Sequence, residues 1–275
     1  MPDVRHLLAD AARQLGHRVE AELLLLHAVK RPRSWLFTHA DDVLDMDVQT
    51  AYAGLLERRA RGEPVAYITG SRGFWSLDLE VTPATLIPRP ETELLVELAL
   101  QRLPRDSACA VADLGTGSGA VALALASELP RCRVTATDAS AAALEVARRN
   151  AARLGIGNVV FVQGDWMTPL SDTRFQLIAS NPPYIEADDA HLAHGDLRFE
   201  PAAALASGRD GLDDIRRIVA GAREHLVPGG WLLFEHGWNQ GDAARALLHQ
   251  AGYADVFTAP DLEQRDRVSG ARNPA

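Results

Sequence analysis

The sequence predicts an α/β protein: a doubly wound, mostly parallel sheet with an antiparallel closing strand, preceded by a small helical bundle and a β-hairpin linker. Three observations carry this expectation. Up to about Leu56 the apolar residues recur at helical spacing, between Gly62 and Arg89 the period falls to two, and after Ala108 short apolar runs alternate with helical segments. The corresponding boundaries are 1–61 for the helical domain, 62–89 for the linker and 90–275 for the main domain. A chain of 275 residues with 47% hydrophobic content is long enough for two cores.

In the first segment Val4, Leu7, Leu8, Ala11 and Leu15 form one helical stripe. AELLLLHAV, with Leu23 to Leu26, reads as a more buried helix, and His27 within it as a core or boundary histidine. Val48, Tyr52, Leu55 and Leu56 form a third stripe. FWSLDLEV alternates, with turn residues at Gly70 and Gly73, as a hairpin does. IPRPETELLVELALQRL then starts a helix from about Pro90 to Leu103. The proline suits the first turn, and Glu91 and Glu93 suit the positive end of the helix dipole. ACAVADLG, RVTATD, NVVFVQGD, FQLIASN and GWLLFEHG read as strands, with VALALASEL and ALEVARRNAARLG as intervening helices. ADVFTAPDL and DRVSGAR form the antiparallel closing pair.

Charge excludes some classes of partner. With 28 basic against 37 acidic residues the net charge is −9, so no global positive field is available and direct nucleic-acid binding is not expected. Cys109 and Cys132 lack metal-ligand spacing and are expected as small core residues in a reducing, cytoplasmic compartment, with no disulfide and no metal site. The first residues carry acids and no long apolar run, which predicts neither a signal peptide nor a membrane span.

Ligands of such sheets bind beyond the carboxyl ends of the strands, and the candidate motifs fall there. In VADLGTGSGAVALAL a strand ends at Asp113 and Leu114, and Gly115, Thr116, Gly117, Ser118 and Gly119 turn into a helix. Glycines allow the tight turn and close approach of a ligand to the backbone. The loop alone also fits a relaxed dinucleotide fingerprint. Asp138 ends the next strand, at the distance where a carboxylate meets the ribose hydroxyls of an adenosine cofactor; its competing role is to cap the helix near Ser140. Trp166, on the same rim, either contacts an adenine or closes the core.

After the strand FQLIAS comes Asn181-Pro182-Pro183-Tyr184. Prolines have no N–H for a sheet, so this backbone is wanted elsewhere. The Asn181 side-chain carbonyl and the Pro182 backbone carbonyl are two fixed acceptors able to hold one NH₂ group, and Tyr184 could cover the planar group that bears it. Accepting both N–H bonds orients a weakly nucleophilic amide nitrogen and supports the charge it develops. The electrophile suited to that nitrogen is a methyl sulfonium.

DLGTGSG, Asp138 and NPPY together resemble the class I S-adenosylmethionine-dependent methyltransferases, whose fold is Rossmann-like. With IPRPETE (Ile87 to Glu93), FEP (Phe199 to Pro201), GGWLLFEHG and the late RDRV, the chain resembles the release-factor glutamine methyltransferase family of HemK/PrmC type over nearly its whole length. The resemblance implies that Gly115 to Gly119 surround the methionine moiety of S-adenosylmethionine, that Asp138 binds its ribose, that Trp166 lies near the adenine and that Asn181 touches cofactor and substrate. It implies that Asn181 and Pro182 are catalytic. Asn181, Pro182, Pro183 and Tyr184 would hold the glutamine of the Gly-Gly-Gln loop of class I peptide chain release factors, giving N5-methylglutamine and S-adenosylhomocysteine. The helical domain would recognise the release factor, and the enzyme is expected to act as a monomer. Arg89 and Glu91 would shape the cofactor side, in competition with helix capping, and EADDAHLAHGDLRFEPAAALASGRDG is a candidate lid whose His191 and His194 have no evident partner. The rival readings are an adenine-N6 DNA or RNA methyltransferase, which shares the clamp, and a nicotinamide-dependent dehydrogenase, which shares the glycine loop but leaves NPPY unexplained.

Overall fold

The computed structural model describes every residue except Met1, Arg105, Ser107 and Ala275. The chain divides into two compact units, Met1–Ser71 with His194–Phe199, and Arg72–Ala193 with Glu200–Ala275.

The first unit contains α1 (Val4–Leu15), α2 (Arg18–Val29), α3 (Trp35–Thr38), α4 (Met46–Ala60) and α5 (Val65–Thr69). The Asp3 carboxylate caps α1 by accepting from the His6 N–H at 2.9 Å. Gly16, in the left-handed region, ends the helix. Val4, Leu8 and Ala11 of α1 pack with Ala21, Leu24 and Leu25 of α2 and with Tyr52 and Leu56 of α4. The Tyr52 hydroxyl donates to the Ala21 carbonyl at 3.0 Å. The four consecutive leucines are not buried alike: Leu23 is 43% exposed, because successive helical residues point about 100° apart. His27 lies on the solvent side, not in the core or at its boundary as expected. Arg59 clamps Glu20 with two hydrogen bonds and reaches Asp196 at 2.8 Å, tying the His194–Phe199 segment into this unit.

The two-residue period is confined to β1 (Ser71–Phe74) and β2 (Leu77–Glu80), since the preceding residues of the predicted linker form α5. Phe74 and Leu79 are buried in the core of the second unit. The helix expected from Pro90 begins as a 3₁₀ turn over Pro90–Thr92 and continues as α6 (Glu93–Arg102). There follow β3 (Ala110–Leu114), α7 (Ala120–Glu128), β4 (Arg133–Asp138), α8 (Ala141–Leu154), β5 (Val159–Gln163), β6 (Phe175–Ser180), α9 (Asp213–His225), β7 (Leu226–Glu235), α10 (Gly241–Gln250), β8 (Ala254–Pro260) and β9 (Asp266–Arg272). The sheet order is β5-β4-β3-β6-β7-β9-β8. The first five strands are parallel, and β9 inserts antiparallel between β7 and β8. The chain winds outward from β3 to β5 and then returns to the other side at β6. The crevice beyond the carboxyl ends of β3 and β6 is thus the switch point where such sheets bind ligands.

One expectation is corrected here: Cys109 and Cys132 form a disulfide, with Cα atoms 4.4 Å apart. Ala110 pairs with Arg133 in the parallel register of β3 and β4, so the residues just before them lie side by side. Sequence spacing does not reveal that proximity. Among the described residues no helix is long and apolar enough to cross a membrane.

Candidate active site

The glycine loop is held by backbone. The N–H groups of Gly115 and Thr116 both donate to the Thr137 carbonyl at 2.9 Å, folding the loop over the end of β4. Gly115, Gly117 and Gly119 have φ of 73°, 57° and 88°, a region L side chains rarely adopt. A Cβ on Gly115 would also stand 3.0 Å from the Trp166 ring. Below the loop, Asp113 is fully buried and accepts from the Thr116 hydroxyl at 2.6 Å and from the Ala122 N–H at 3.1 Å. Burial pushes its carboxyl up to about 7 against those two hydrogen bonds. Sequence reasoning took Asp113 only as a strand end and missed this role.

Asp138 lies opposite. Its Oδ2 accepts from the Gly117 N–H at 2.9 Å and its Oδ1 from the Ser140 N–H at 2.8 Å. Burial raises its pKa, and the Ser140 and Gly117 N–H groups pull the other way. Ser140, not Asp138, caps α8, its hydroxyl accepting from the Ala143 N–H. Each Asp138 oxygen keeps acceptor capacity toward the cavity. Trp166 sits in the left-handed region, donates through Nε1 to Asp214 at 3.2 Å and packs on the core while lining the cavity. It therefore closes the core and also forms part of the cavity wall. A residue the sequence did not single out anchors the loop: buried Asn150 of α8 donates to the Ser118 carbonyl at 2.9 Å and grips both polar groups of the Glu80 backbone.

On the facing side, Ser180 ties the end of β6 to the Leu114 carbonyl at 2.8 Å, placing Asn181 beside the loop. The Asn181 Nδ2 donates to the Thr92 hydroxyl at 3.0 Å. The Tyr184 hydroxyl donates to Glu235 Oε1 at 3.0 Å, and the Tyr184 carbonyl accepts from Gln240. A Cβ on Gly211 would collide with that same carbonyl. Buried Glu200, in FEP, accepts from the Ile87 N–H at 2.9 Å and pairs with Arg89, so these two motifs meet through one carboxylate. Arg89 thus serves the packing of IPRPETE, and Glu91 is exposed.

These walls enclose a cavity of about 390 Å³, within the usual range for small-molecule sites. Gly115, Thr116, Gly117, Ser118, Asp138 and Trp166 line it together with Thr92, Asn181 and Pro183. Gly119, Pro182 and Tyr184 are not on its surface: Gly119 opens α7, Pro182 is buried and Tyr184 is bonded to Glu235. Of the candidate lid, Pro201, Ala203 and Ala204 reach the cavity. His191, which had no evident partner, faces Asp189 at 2.7 Å on the surface.

Comparison with known proteins bears on both units. Residues 4–70 match the model of the PrmC N-terminal domain, and residues 91–208 match that of the methyltransferase small domain. A release factor glutamine methyltransferase of Xylella fastidiosa (strain Temecula1) is 58% identical over 274 residues, covering 100% of this chain and 99% of the relative. The Escherichia coli (strain K12) enzyme of the same name is 47% identical, covering 98% and 99%. Among solved structures, a methyltransferase from Pyrococcus furiosus shares the fold with a TM-score of 0.56 at 19% identity, covering 81% of this chain and 100% of that one. A Thermus thermophilus 16S rRNA N2 G1207 methyltransferase, solved with AdoMet and guanosine, does so with a TM-score of 0.53 at 19% identity, covering 74% and 49%. Identity near one half, sustained from end to end over both units, is decisive: the chain belongs to the release factor glutamine methyltransferase family.

Proposed function

We propose that this chain transfers the methyl group of S-adenosylmethionine to the side-chain amide nitrogen of the glutamine in the Gly-Gly-Gln motif of class I peptide chain release factors, leaving S-adenosylhomocysteine. The observation that carries this reading is the state of Asn181. Its NH₂ is engaged by Thr92, which leaves its carbonyl oxygen as an acceptor at the cavity wall, and a carbonyl accepts from an incoming amide NH₂.

The residues present fit S-adenosylmethionine. Glycines without side chains leave room beside Trp166, and the Asp138 carboxylate retains lone pairs for ribose hydroxyls. Gly115 to Gly119 would hold the methionine moiety, Asp138 the ribose and Trp166 the adenine. When bound, the sulfonium supplies an electrophilic methyl group. The chain's own residues align the nucleophile: the Asn181 Oδ1 and the Pro182 carbonyl accept the two amide N–H bonds, and both acceptors strengthen as the nitrogen becomes cationic. Two locked proline φ angles keep the second acceptor in place; Pro183 lines the cavity, and Tyr184, held by Glu235 outside that surface, would border the glutamine beyond the cofactor cavity.

We further propose that the helical domain recognises the release factor, because one glutamine buries too little surface for specificity. Phe37 and Met46, 84% and 61% exposed, offer apolar contact area there. The enzyme would act as a monomer in the cytoplasm, the compartment of release factors, without binding nucleic acid directly. The test is methyl transfer from tritiated S-adenosylmethionine, with an intact release factor and duplex DNA as competing acceptors. Label on the motif glutamine is the expected result; label on DNA, or none on the release factor, overturns the reading.

A further inference from the structure

An indole N–H can only donate, so a tryptophan ring set in a cavity wall takes its orientation from whatever accepts that one bond. We infer that Asp214 is a positioning residue, which fixes the Trp166 ring in the cavity wall and thereby sets the affinity for the adenosine end of the cofactor. This rests on the S-adenosylmethionine reading of the cavity.

Trp166 is held at three points. Its carbonyl accepts from the Thr137 hydroxyl at 3.0 Å. Its six-membered ring borders Gly115, where a Cβ would stand only 3.0 Å from Cζ3. Its Nε1 donates to Asp214 Oδ1 at 3.2 Å. The first of these fixes the backbone and the glycine leaves the ring room, so the Asp214 bond sets how the ring is turned. The backbone at Trp166 has a φ of 49°. That region is costly for a bulky residue and is kept chiefly where function uses it.

Asp214 is itself held on both oxygens. Its Oδ2 accepts from the Ser207 hydroxyl at 2.8 Å, and the Ser207 oxygen accepts in turn from the Asp214 N–H at 2.8 Å. Ser207 is 2% exposed, and its own N–H donates to the carbonyl of Ile185, the residue after Tyr184, at 2.9 Å. Arg217, one turn further along α9, pairs with Asp214 at 3.5 Å and with Asp165. Asp165, Trp166, Asp214 and Arg217 all line the cavity. The Arg217 side chain is 53% exposed, so solvent screens its pairs, and the buried bonds to Ser207 decide where the Asp214 carboxylate points. A simpler role competes. The Asp214 N–H is one of the orphan donors in the first turn of α9, and Ser207 satisfies it. That role uses the Asp214 backbone; positioning uses its carboxylate.

The experiment uses the full chain. Asp214→Ala should weaken S-adenosylhomocysteine binding in calorimetry about tenfold, while the single-turnover rate on an intact release factor at saturating S-adenosylmethionine falls by less than the affinity does. Asp214→Asn keeps an oxygen for Nε1 and should recover most of the affinity. In a Trp166→Phe background, which lacks the N–H, Asp214→Ala should cost little further affinity. A loss of equal size in both backgrounds means that Asp214 only supports α9 and overturns the inference, as does parent affinity in Asp214→Ala or failure of Asp214→Asn to recover it. Ser207→Ala loosens the same carboxylate and serves if Asp214→Ala does not fold. It should weaken binding about threefold, and parent affinity there counts against the inference. A measurement without cofactor separates positioning from the reading beneath it: the Trp166 indole N–H, assigned by NMR against Trp166→Phe, should exchange slowly in the parent and in Asp214→Asn, and fast in Asp214→Ala. Equal exchange in the parent and Asp214→Ala overturns the positioning role whatever ligand the cavity takes. The expected exchange pattern in a parent that does not bind S-adenosylhomocysteine sinks the cofactor reading and leaves Asp214 as the residue that fixes the ring.

Discussion

On the glycine-loop side of the cavity the wall is made by backbone. Gly115 and Thr116 hang on the Thr137 carbonyl, Gly117 and Ser140 give their N–H groups to Asp138, and three glycines with positive φ set the path. On the NPPY side the wall is made by side chains drawn from distant segments, with Asn181 on Thr92 and Tyr184 on Glu235. Backbone walls suit a ligand that must be held in one form throughout. Side-chain walls with a defined donor and acceptor sense suit a group whose charge changes during reaction. We therefore expect lesions on the first side to appear in cofactor affinity or folding, and lesions on the second in turnover.

The largest effect is expected at Asn181. Asn181→Ala should reduce single-turnover rate by about 10² to 10³, with a much smaller change in S-adenosylmethionine affinity. Unchanged chemistry at saturating cofactor would remove Asn181 from the reaction and erase the contrast between the walls. Next comes Asp138→Ala, which should weaken cofactor binding in calorimetry by about 1.5 to 3 kcal/mol per charge-assisted bond lost. It also strands the Gly117 and Ser140 N–H groups. Turnover at saturating cofactor should stay near that of the parent, and a fall as deep as that of Asn181→Ala would break the division of labour.

A smaller effect is expected where the loop meets α7. A Cβ on Gly119 would lie 2.9 Å from Leu123 Cδ1 and 3.3 Å from Ala147, on a residue whose φ is 88°. Gly119→Ala should cost about 1 to 2 kcal/mol of stability from the left-handed backbone, read by urea unfolding. Parent stability would mean that the loop relaxes freely.

The smallest effect concerns Asp113 and is one of slope. Its carboxyl moves from 3.8 in the unfolded reference to about 7 in the fold because burial disfavours charge. Between these values the folded protein retains a proton that the unfolded chain releases. Its contribution to stability is therefore fully present below about pH 4, declines as pH rises toward 7 and is flat above. Asp113→Asn should flatten the unfolding midpoint against pH in that window relative to the parent. Identical slopes would place an ionised Asp113 in the fold throughout.

The parts of the site legible in the sequence are those whose requirement is local. Gly115, Gly117 and Gly119 stand where positive φ is needed, and the prolines after Asn181 withdraw the chain from β6. Asp138 sits where its strand ends, and the alternation of strand and helix announces the parallel sheet. The helical period likewise identifies the bundle, though it does not show that Leu23 and His27 face outward. Partners far along the chain were not legible. Nothing in IPRPETE points to Asn181, nothing in FEP to Arg89, and nothing around Asn150 to the Ser118 carbonyl. Cys109 and Cys132 show the same limit, since their bond follows from the register of β3 against β4.

The sequence by itself thus determined the order of elements, the place of the cavity beyond the strand ends, and the residues that line its glycine side. Tertiary structure alone decided which polar group meets which: Asn181 with Thr92, Tyr184 with Glu235, Asp196 with Arg59. The physical reason is that a backbone conformation is selected by the residue that adopts it. A buried hydrogen bond is selected by the packing that brings two distant segments within about 3 Å and shuts out the water that would otherwise satisfy them both.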